Sequence, residues 1–284
     1  MHISTAFSVL SLLLASITLA TQGDRLVLTP GGYRSKSKVY ELPTGSSLAH
    51  TSDAVQSIDA GGSVIHVDGA GDAMELGRRD FLDGWIAFAW WLNPGLAPIA
   101  SFTTIWEVPP LPETDHGQTV FLFNALQPNG SGILQPVLQY GPSGAGGGSF
   151  WAVATWHVDD AGNAFFTPLV PVSPGQILNA AITLTNTNGS TFDYNAQFTN
   201  VPGTSMNLTG APQLTFAAET LEAYGVTALS DYPSGSTVFS GIDLTLAGGV
   251  TPSIAWSHQD DAADGVSISI DVDGATQGRM TITY

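Results

Sequence analysis

The sequence predicts an all-β chain, with two antiparallel sheets packed as a sandwich in one domain. Three observations lead there. Beyond residue 80, short alternating or wholly apolar runs recur between clusters of Gly, Pro, Asn and Ser. No stretch keeps the apolar spacing of an amphipathic helix over three turns. Only 11% of the 284 residues are charged, so many short strands must cover one another's apolar faces.

In chain order the predicted strands are Trp85–Trp91, Ser101–Val108, Thr119–Ala125, Ile133–Tyr140, Phe150–His157, Ile177–Thr185, Asp193–Phe198, Gly241–Leu246, Ser253–Ser257 and Val266–Val272. Between the fourth and fifth, Ser143-Gly144-Ala145-Gly146-Gly147-Gly148-Ser149 reads as a flexible loop, a functional flap rather than an interdomain linker. Ahead of this domain, Val55–Ala60, then Gly61-Gly62, then Ser63–Val67 reads as a β-hairpin.

Three regions are expected. Residues 1–20 have the short apolar core and small terminal residues of a secretory signal peptide, although Lys and Arg are missing before the core. That core is too short to span a bilayer, and no later run is long enough either. The expected product is therefore secreted and extracellular. Residues 21–79 contain six of the seven basic residues and end in the dibasic pair Arg78-Arg79. They are either a basic pro-segment covering an acidic cleft or a permanent extension of the sheet. Residues 80–284 are the sandwich. There 17 acidic residues face Arg279 alone, a net charge of −16 that repels nucleic acid and anionic membranes. Such a charge suits work in acid, where the carboxylates protonate, and it also suits solubility.

Several chemistries find no support. The chain has no cysteine, hence no disulfide, thiolate nucleophile or Cys-based metal site. Its six histidines are dispersed, without a His-x-His or His-Glu-x-x-His pattern, and no cofactor or metal is expected. The acidic stretches Asp260–Gly265 and Asp271–Gly274 lack the ligand spacing of a calcium loop and read as solvated turns. No Gly-x-Ser-x-Gly marks a serine nucleophile. Sequons at Asn129, Asn188 and Asn207 fit a glycoprotein. Trp85, Trp90, Trp91, Trp106, Trp151, Trp156, Phe121 and Phe123 crowd the first half of the domain. Alternation sends some to the core and leaves the others to line a groove for a polymer, either peptide or glycan.

A family resemblance organises these residues. Gly84-Trp85-Ile86-Ala87, followed by Ala100–Pro109, resembles the opening of the glutamic peptidases, the eqolisin family. Gly132-Ile133-Leu134-Gln135 resembles that family's Ile-Leu-Gln motif, and Ser149–Trp156 its aromatic strand. Val172-Ser173-Pro174-Gly175-Gln176 resembles its Pro-Gly-Asp turn, and Ala218-Glu219, with Glu222 behind it, its Ala-Glu-Trp-Ile motif. The resemblance covers about residues 83–240 and implies a concanavalin-A-like sandwich, secretion, a pro-segment and activity in acid.

It also implies a catalytic pair. Glu219 would act as general base and then acid, while Gln135 holds the water and the oxyanion. Trp85, Phe123, Gln127, Trp151, Trp156 and Glu222 would line the substrate groove of a monomeric endopeptidase acting on polypeptide. Three positions depart from the family pattern. Its Trp and supporting Asp before the glutamine fall on Phe123 and Gln127 here, and the Trp after the glutamate is Thr220. The alternative is a carbohydrate-binding or carbohydrate-active sandwich, in which two carboxylates would flank one glycosidic bond.

Overall fold

Alternation and punctuation govern the architecture seen in a computed structural model, which describes residues 24–52, 54–69, 84–95, 97–130, 132–261, 263 and 265–284. The expected signal peptide and the Arg78-Arg79 pair lie outside the described residues. The N-terminal part supplies six strands: β1 (Leu26–Thr29), β2 (Gly32–Ser35), β3 (Val39–Glu41), β4 (Ser47–His50), β5 (Ala54–Ile58) and β6 (Val64–Gly69). There follow β7 (Trp85–Leu92), β8 (Ile99–Glu107), β9 (Thr119–Pro128), β10 (Ile133–Ser143), β11 (Gly146–Val158), β12 (Ala164–Phe166) and β13 (Val170–Pro171). The remainder are β14 (Ile177–Asn188), β15 (Thr191–Phe198), β16 (Met206–Ala211), β17 (Leu214–Tyr224), β18 (Ser236–Leu246), β19 (Ser257–Asp260), β20 (Ser267–Val272) and β21 (Gly278–Thr283). Two single 3₁₀ turns, Lys36–Lys38 and Leu229–Asp231, join the strands, and no α-helix forms among the described residues.

Two large sheets pack face to face, as the sequence predicts. Sheet I has the order β19-β7-β17-β9-β10-β11-β12-β3, with β13 also paired to β11. Sheet II has the order β20-β21-β18-β8-β14-β15-β16-β4-β5-β6. The main core lies between them. Ala89, Leu122, Leu138, Val153 and Leu221 of sheet I meet Phe102, Trp106, Leu178, Ile182 and Leu244 of sheet II. Trp106 anchors it edge-on against Phe198 at 5.5 Å and Phe239 at 5.2 Å, contacts that contribute about 1 kcal/mol each beyond burial. A second apolar layer lies on the other side of sheet I, where Leu28 and Val39 from the N-terminal part cover Phe121, Phe123, Val137 and Trp156.

The N-terminal part is woven into both sheets. β3 runs parallel to β12 at the edge of sheet I, and β4 runs parallel to β16 at the edge of sheet II. The predicted hairpin is β5–β6, which extends sheet II from β4. The hairpin β1–β2 stands apart from both sheets.

Three expectations change. The run Ser253–Ser257 is not a strand, because β19 begins only at Ser257. β17 forms where the pattern gave no strand. Its sequence, LTFAAETLEAY, is rich in Ala, Leu and Glu, but it lies between β7 and β9 and is buried on both faces, so packing overrides propensity. The glycine-rich flap is instead a tight hairpin turn, with Ser143 paired to Gly146. Gln139 clamps it by donating to the carbonyls of Gly141 (2.8 Å) and Gly146 (3.0 Å) and accepting from Ser143 Oγ (2.9 Å). Glycine is required at Gly147, where a Cβ would lie 2.4 Å from both the Gln139 amide and the Gly141 carbonyl. Gln139→Ala should cost about 1 to 2 kcal/mol, since water can reach part of the freed turn; an unchanged urea midpoint would remove the clamp.

Candidate functional site

The outer face of sheet I is built by alternation. From β9 it receives Phe121, Phe123, Ala125 and Gln127; from β10, Ile133, Gln135 and Val137; from β11, Ala154, Trp156 and Val158. β17 adds Ala218, Thr220 and Glu222. Trp85 joins them through a bulge: β7 pairs Ala87 with Leu221 but Trp85 with Glu222, and the skipped residue turns Trp85 onto the face that carries Phe88. Trp85 lies edge-on to Phe88 at 5.0 Å and to Phe123 at 5.7 Å.

Five of the predicted groove residues therefore share this face: Trp85, Phe123, Gln127, Trp156 and Glu222. Trp151 does not. It has the opposite parity on β11, packs in the core between the sheets and lies tilted against Tyr140, with ring centroids 5.4 Å apart.

The expected Gln135/Glu219 pair is not assembled. Gln135 lies on the outer face, level with Ala125 and, across β9, with Ala218. Glu219, one residue further along β17, points the other way. It lies between the sheets, where it accepts a hydrogen bond from Thr104 of β8 and neighbours Asn124 across the β17–β9 pair. The sheet itself separates the two side chains. The cause is the two-residue period of a strand, which sends adjacent positions to opposite faces. Burial pushes the Glu219 carboxyl well above the ordinary range, partly offset by the Thr104 bond, so it is held as a neutral acid.

Glu222 is the carboxyl group on the outer face, and it is fully buried. Its Oε1 accepts from the Gly31 backbone N–H at 2.7 Å and from the Tyr224 hydroxyl at 2.6 Å. Burial raises its pKa to about 8, against the opposing pull of these two bonds and of the Arg34 charge. The cover is the β1–β2 turn, where Gly31 (φ +88°) takes the left-handed backbone that brings its N–H onto the carboxylate. Tyr33 meets Tyr224 edge-on at 6.0 Å, Gly144 N–H donates to the Leu28 carbonyl at 2.6 Å, and Lys36 reaches the Gly144 carbonyl at 3.0 Å. Lys38 likewise ends on a carbonyl, that of Ala161, at 2.9 Å. The basic segment thus docks largely on backbone oxygens, with Arg34 the cation nearest Glu222.

Further along the face lies a second set of polar atoms. Both polar atoms of Gln135, the Gln127 amide nitrogen, the Thr220 hydroxyl and the Trp156 indole N–H are buried without a protein partner. Buried polar groups are normally satisfied, so this row is chemically unspent. Sequence reasoning missed Tyr224 and Gly31 at the Glu222 site. The Glu-x-Tyr spacing on one strand face and the Pro30-Gly31-Gly32 turn are the signals that mark them. Among the described residues, no group of three or more His, Cys, Asp or Glu side chains gathers as a metal site.

Fold and site together define a two-sheet, mainly antiparallel β-sandwich carrying a buried acid on the outer face of one sheet, covered by the chain's own N-terminal segment. No family model matches the chain, and no curated protein matches it in sequence. Among solved structures it is similar to scytalido-glutamic peptidase bound to a peptide-based transition-state analog, at 12% identity and a TM-score of 0.46, covering 70% of this chain and 98% of that one. It is similar also to SCP-B, a member of the Eqolisin family, in complex with the tripeptide Ala-Ile-His, at 12% identity and a TM-score of 0.44, covering 70% of this chain and 98% of that one. A weaker likeness, at 10% identity and a TM-score of 0.29, is to the CBM2 module of an evolved Dit protein of Lactobacillus casei BL23 phage J-1, with 70% of each chain covered.

Proposed function

We propose that this chain is a secreted acid peptidase that binds an extended polypeptide along the outer face of sheet I, with Glu222 rather than Glu219 as its acid–base group. One observation carries the reading. The face already holds a polypeptide, the chain's own residues 26–35, whose Gly31 N–H is bonded to Glu222. A substrate backbone taking that place would present its carbonyl and amide to the same carboxyl group. With the hairpin displaced, Glu222 meets solvent and its pKa relaxes toward 4.5, a base suited to acidic medium. It takes a proton from water as the water attacks the carbonyl carbon, then returns it to the leaving amine. The Tyr224 hydroxyl, beside Glu222, is the donor for the developing oxyanion.

Gln135 has a different part in this reading. By strand geometry it lies roughly 10 Å across the sheet and 14 Å along it from Glu222, too far to share one water. Its unspent amide, with the Gln127 amide and the Trp156 indole N–H, would hold the backbone of a longer ligand away from the scissile bond. The carbohydrate-active alternative loses its chemistry, because Glu219 and Glu222 point to opposite sides of the sheet and cannot flank one glycosidic bond.

The test is cleavage of a denatured protein at acidic pH by the full chain and by Glu222→Gln and Glu219→Gln. Loss in the first variant and retention in the second is expected. Equal activity in all three would remove Glu222 from the mechanism. Peptide binding without cleavage in the wild type would leave a binding protein, and retention on a glycan array without peptide binding would overturn the reading.

A further inference from the structure

The geometry points to an acid-operated latch, formed by His50 and His157, that keeps the N-terminal segment seated over the Glu222 face and lets it go as the imidazoles protonate. This rests on the proposed role of that face, but the latch is defined by its own contacts. His50 ends β4, the strand that ties the N-terminal segment to the edge of sheet II. His157 belongs to β11 of sheet I and is buried. Their Nε2 atoms lie 3.0 Å apart, where the segment passes from one sheet to the other.

The proton positions follow from the neighbours. His157 Nδ1 lies 3.1 Å from the Ile133 carbonyl, an acceptor only, so Nδ1 carries the hydrogen and Nε2 presents a lone pair. His50 Nε2 must then be the donor. His50 can gain a second proton without breaking this bond. Protonating His157 sets two N–H groups against each other at 3.0 Å, and the contact fails.

Two carboxylates and a third imidazole lie near the pair. Asp160 faces His50 and favours its charged form, whereas Asp159 is engaged with Asn163 through both carboxylate oxygens. Phe165 stacks on His157 and continues to Tyr40 and then His66, so the row beyond the pair is aromatic. Leu208, Leu214 and Pro212 complete the cleft.

Proton counting gives the expected profile. Released, both imidazoles titrate near their ordinary 6.5; seated, burial holds both lower, His157 down to about 3. Glu222 works the other way, keeping its proton up to about pH 8 when covered but only to its ordinary 4.5 when open. Between pH 6.5 and 4.5 the proton that His157 takes up on opening is offset by the one Glu222 returns, so the open fraction rises only by what His50 adds. Below 4.5 nothing is returned, and His157 alone makes the open fraction rise about tenfold per unit down to about pH 3, with His50 acting in the same direction. Above 6.5 the Glu222 proton alone is lost on opening, so the segment should be seated most firmly between pH 4.5 and 6.5.

The experiment is hydrogen exchange of the full chain from pH 3 to 8, without substrate, following peptides that cover residues 24–50 and correcting for intrinsic exchange. Wild type should show greatest protection between pH 4.5 and 6.5 and an acid limb of about tenfold per unit or more below 4.5. His157→Gln removes the group that must stay neutral for the contact to hold, so its limb should flatten by about tenfold per unit. His50→Gln keeps an N–H donor for His157 and should leave an acid limb no steeper than that of wild type. An unchanged acid limb in His157→Gln, or loss of protection in β9 and β10 together with the segment, would overturn the latch. Opening on schedule with no cleavage would leave the latch standing and remove only the peptidase reading.

Discussion

A single substitution, Glu222→Gln, should abolish acid cleavage and, at pH 8, make the fold about 4 kcal/mol more stable. The two effects share one cause. In the closed protein Glu222 is neutral up to about pH 8, against an ordinary 4.5 for the unfolded chain. Below 4.5 both states are protonated and the group makes no difference. As pH rises above 4.5 the unfolded chain ionises and the fold does not, so stability falls by about 1.4 kcal/mol per unit until the folded group ionises as well. Glutamine keeps an oxygen for the Gly31 N–H and the Tyr224 hydroxyl and has no proton to lose. The gain should therefore be near zero at pH 4 and largest at pH 8, measured as a urea midpoint at each pH. A gain that did not vary with pH would mean that Glu222 is ionised in the fold.

The histidine pair tilts the other side of the profile. His157 and His50 have lowered pKa values, so their contribution is intact above 6.5 and is lost as pH falls and the unfolded chain takes up protons. Buried acids weaken the fold toward alkali and buried imidazoles weaken it toward acid. Maximum stability is expected between these two limbs, in mildly acidic medium.

The fold was largely legible because strands with one core-facing side announce themselves by alternation, as β8 and β15 do. The site was less legible because the decisive strand, β17, is buried on both faces, and a run such as FAAETLEAY then offers no contrast from which to read which residues face which way. A motif comparison can place a glutamate on a strand, but any odd offset along the strand moves it through the sheet, and Glu219 and Glu222 are three residues apart. The loop expected at Ser143–Ser149 failed for a related reason. Glycines there serve close backbone approach under the Gln139 side chain, and composition alone cannot separate that use from flexibility. The Gly31–Glu222 bond joins residues 191 apart and has no local signature.

Glu219 itself should prove to be a structural acid, and a two-residue cycle with Thr104 distinguishes this from catalysis. Both side chains are fully buried between the sheets, with Glu219 Oε1 bonded to the Thr104 hydroxyl and Oε2 without a protein partner. Thr104→Val leaves the carboxyl group with neither oxygen bonded and should cost about 2 kcal/mol. Glu219→Leu alone strands the hydroxyl and should cost about 1 to 2 kcal/mol at pH 5. Made together, the two substitutions replace a polar pair with apolar groups of similar size, and the double variant should lie within about 1 kcal/mol of wild type at pH 5. At pH 8 it should be the more stable protein, because burial disfavours ionisation of the wild-type acid in the fold but not in the unfolded chain, whereas leucine has no such cost. Cleavage should survive in the double variant, since neither residue reaches the outer face of sheet I. Additive losses would show that the two side chains do not act as a pair, and loss of cleavage with the fold intact would return Glu219 to the active site.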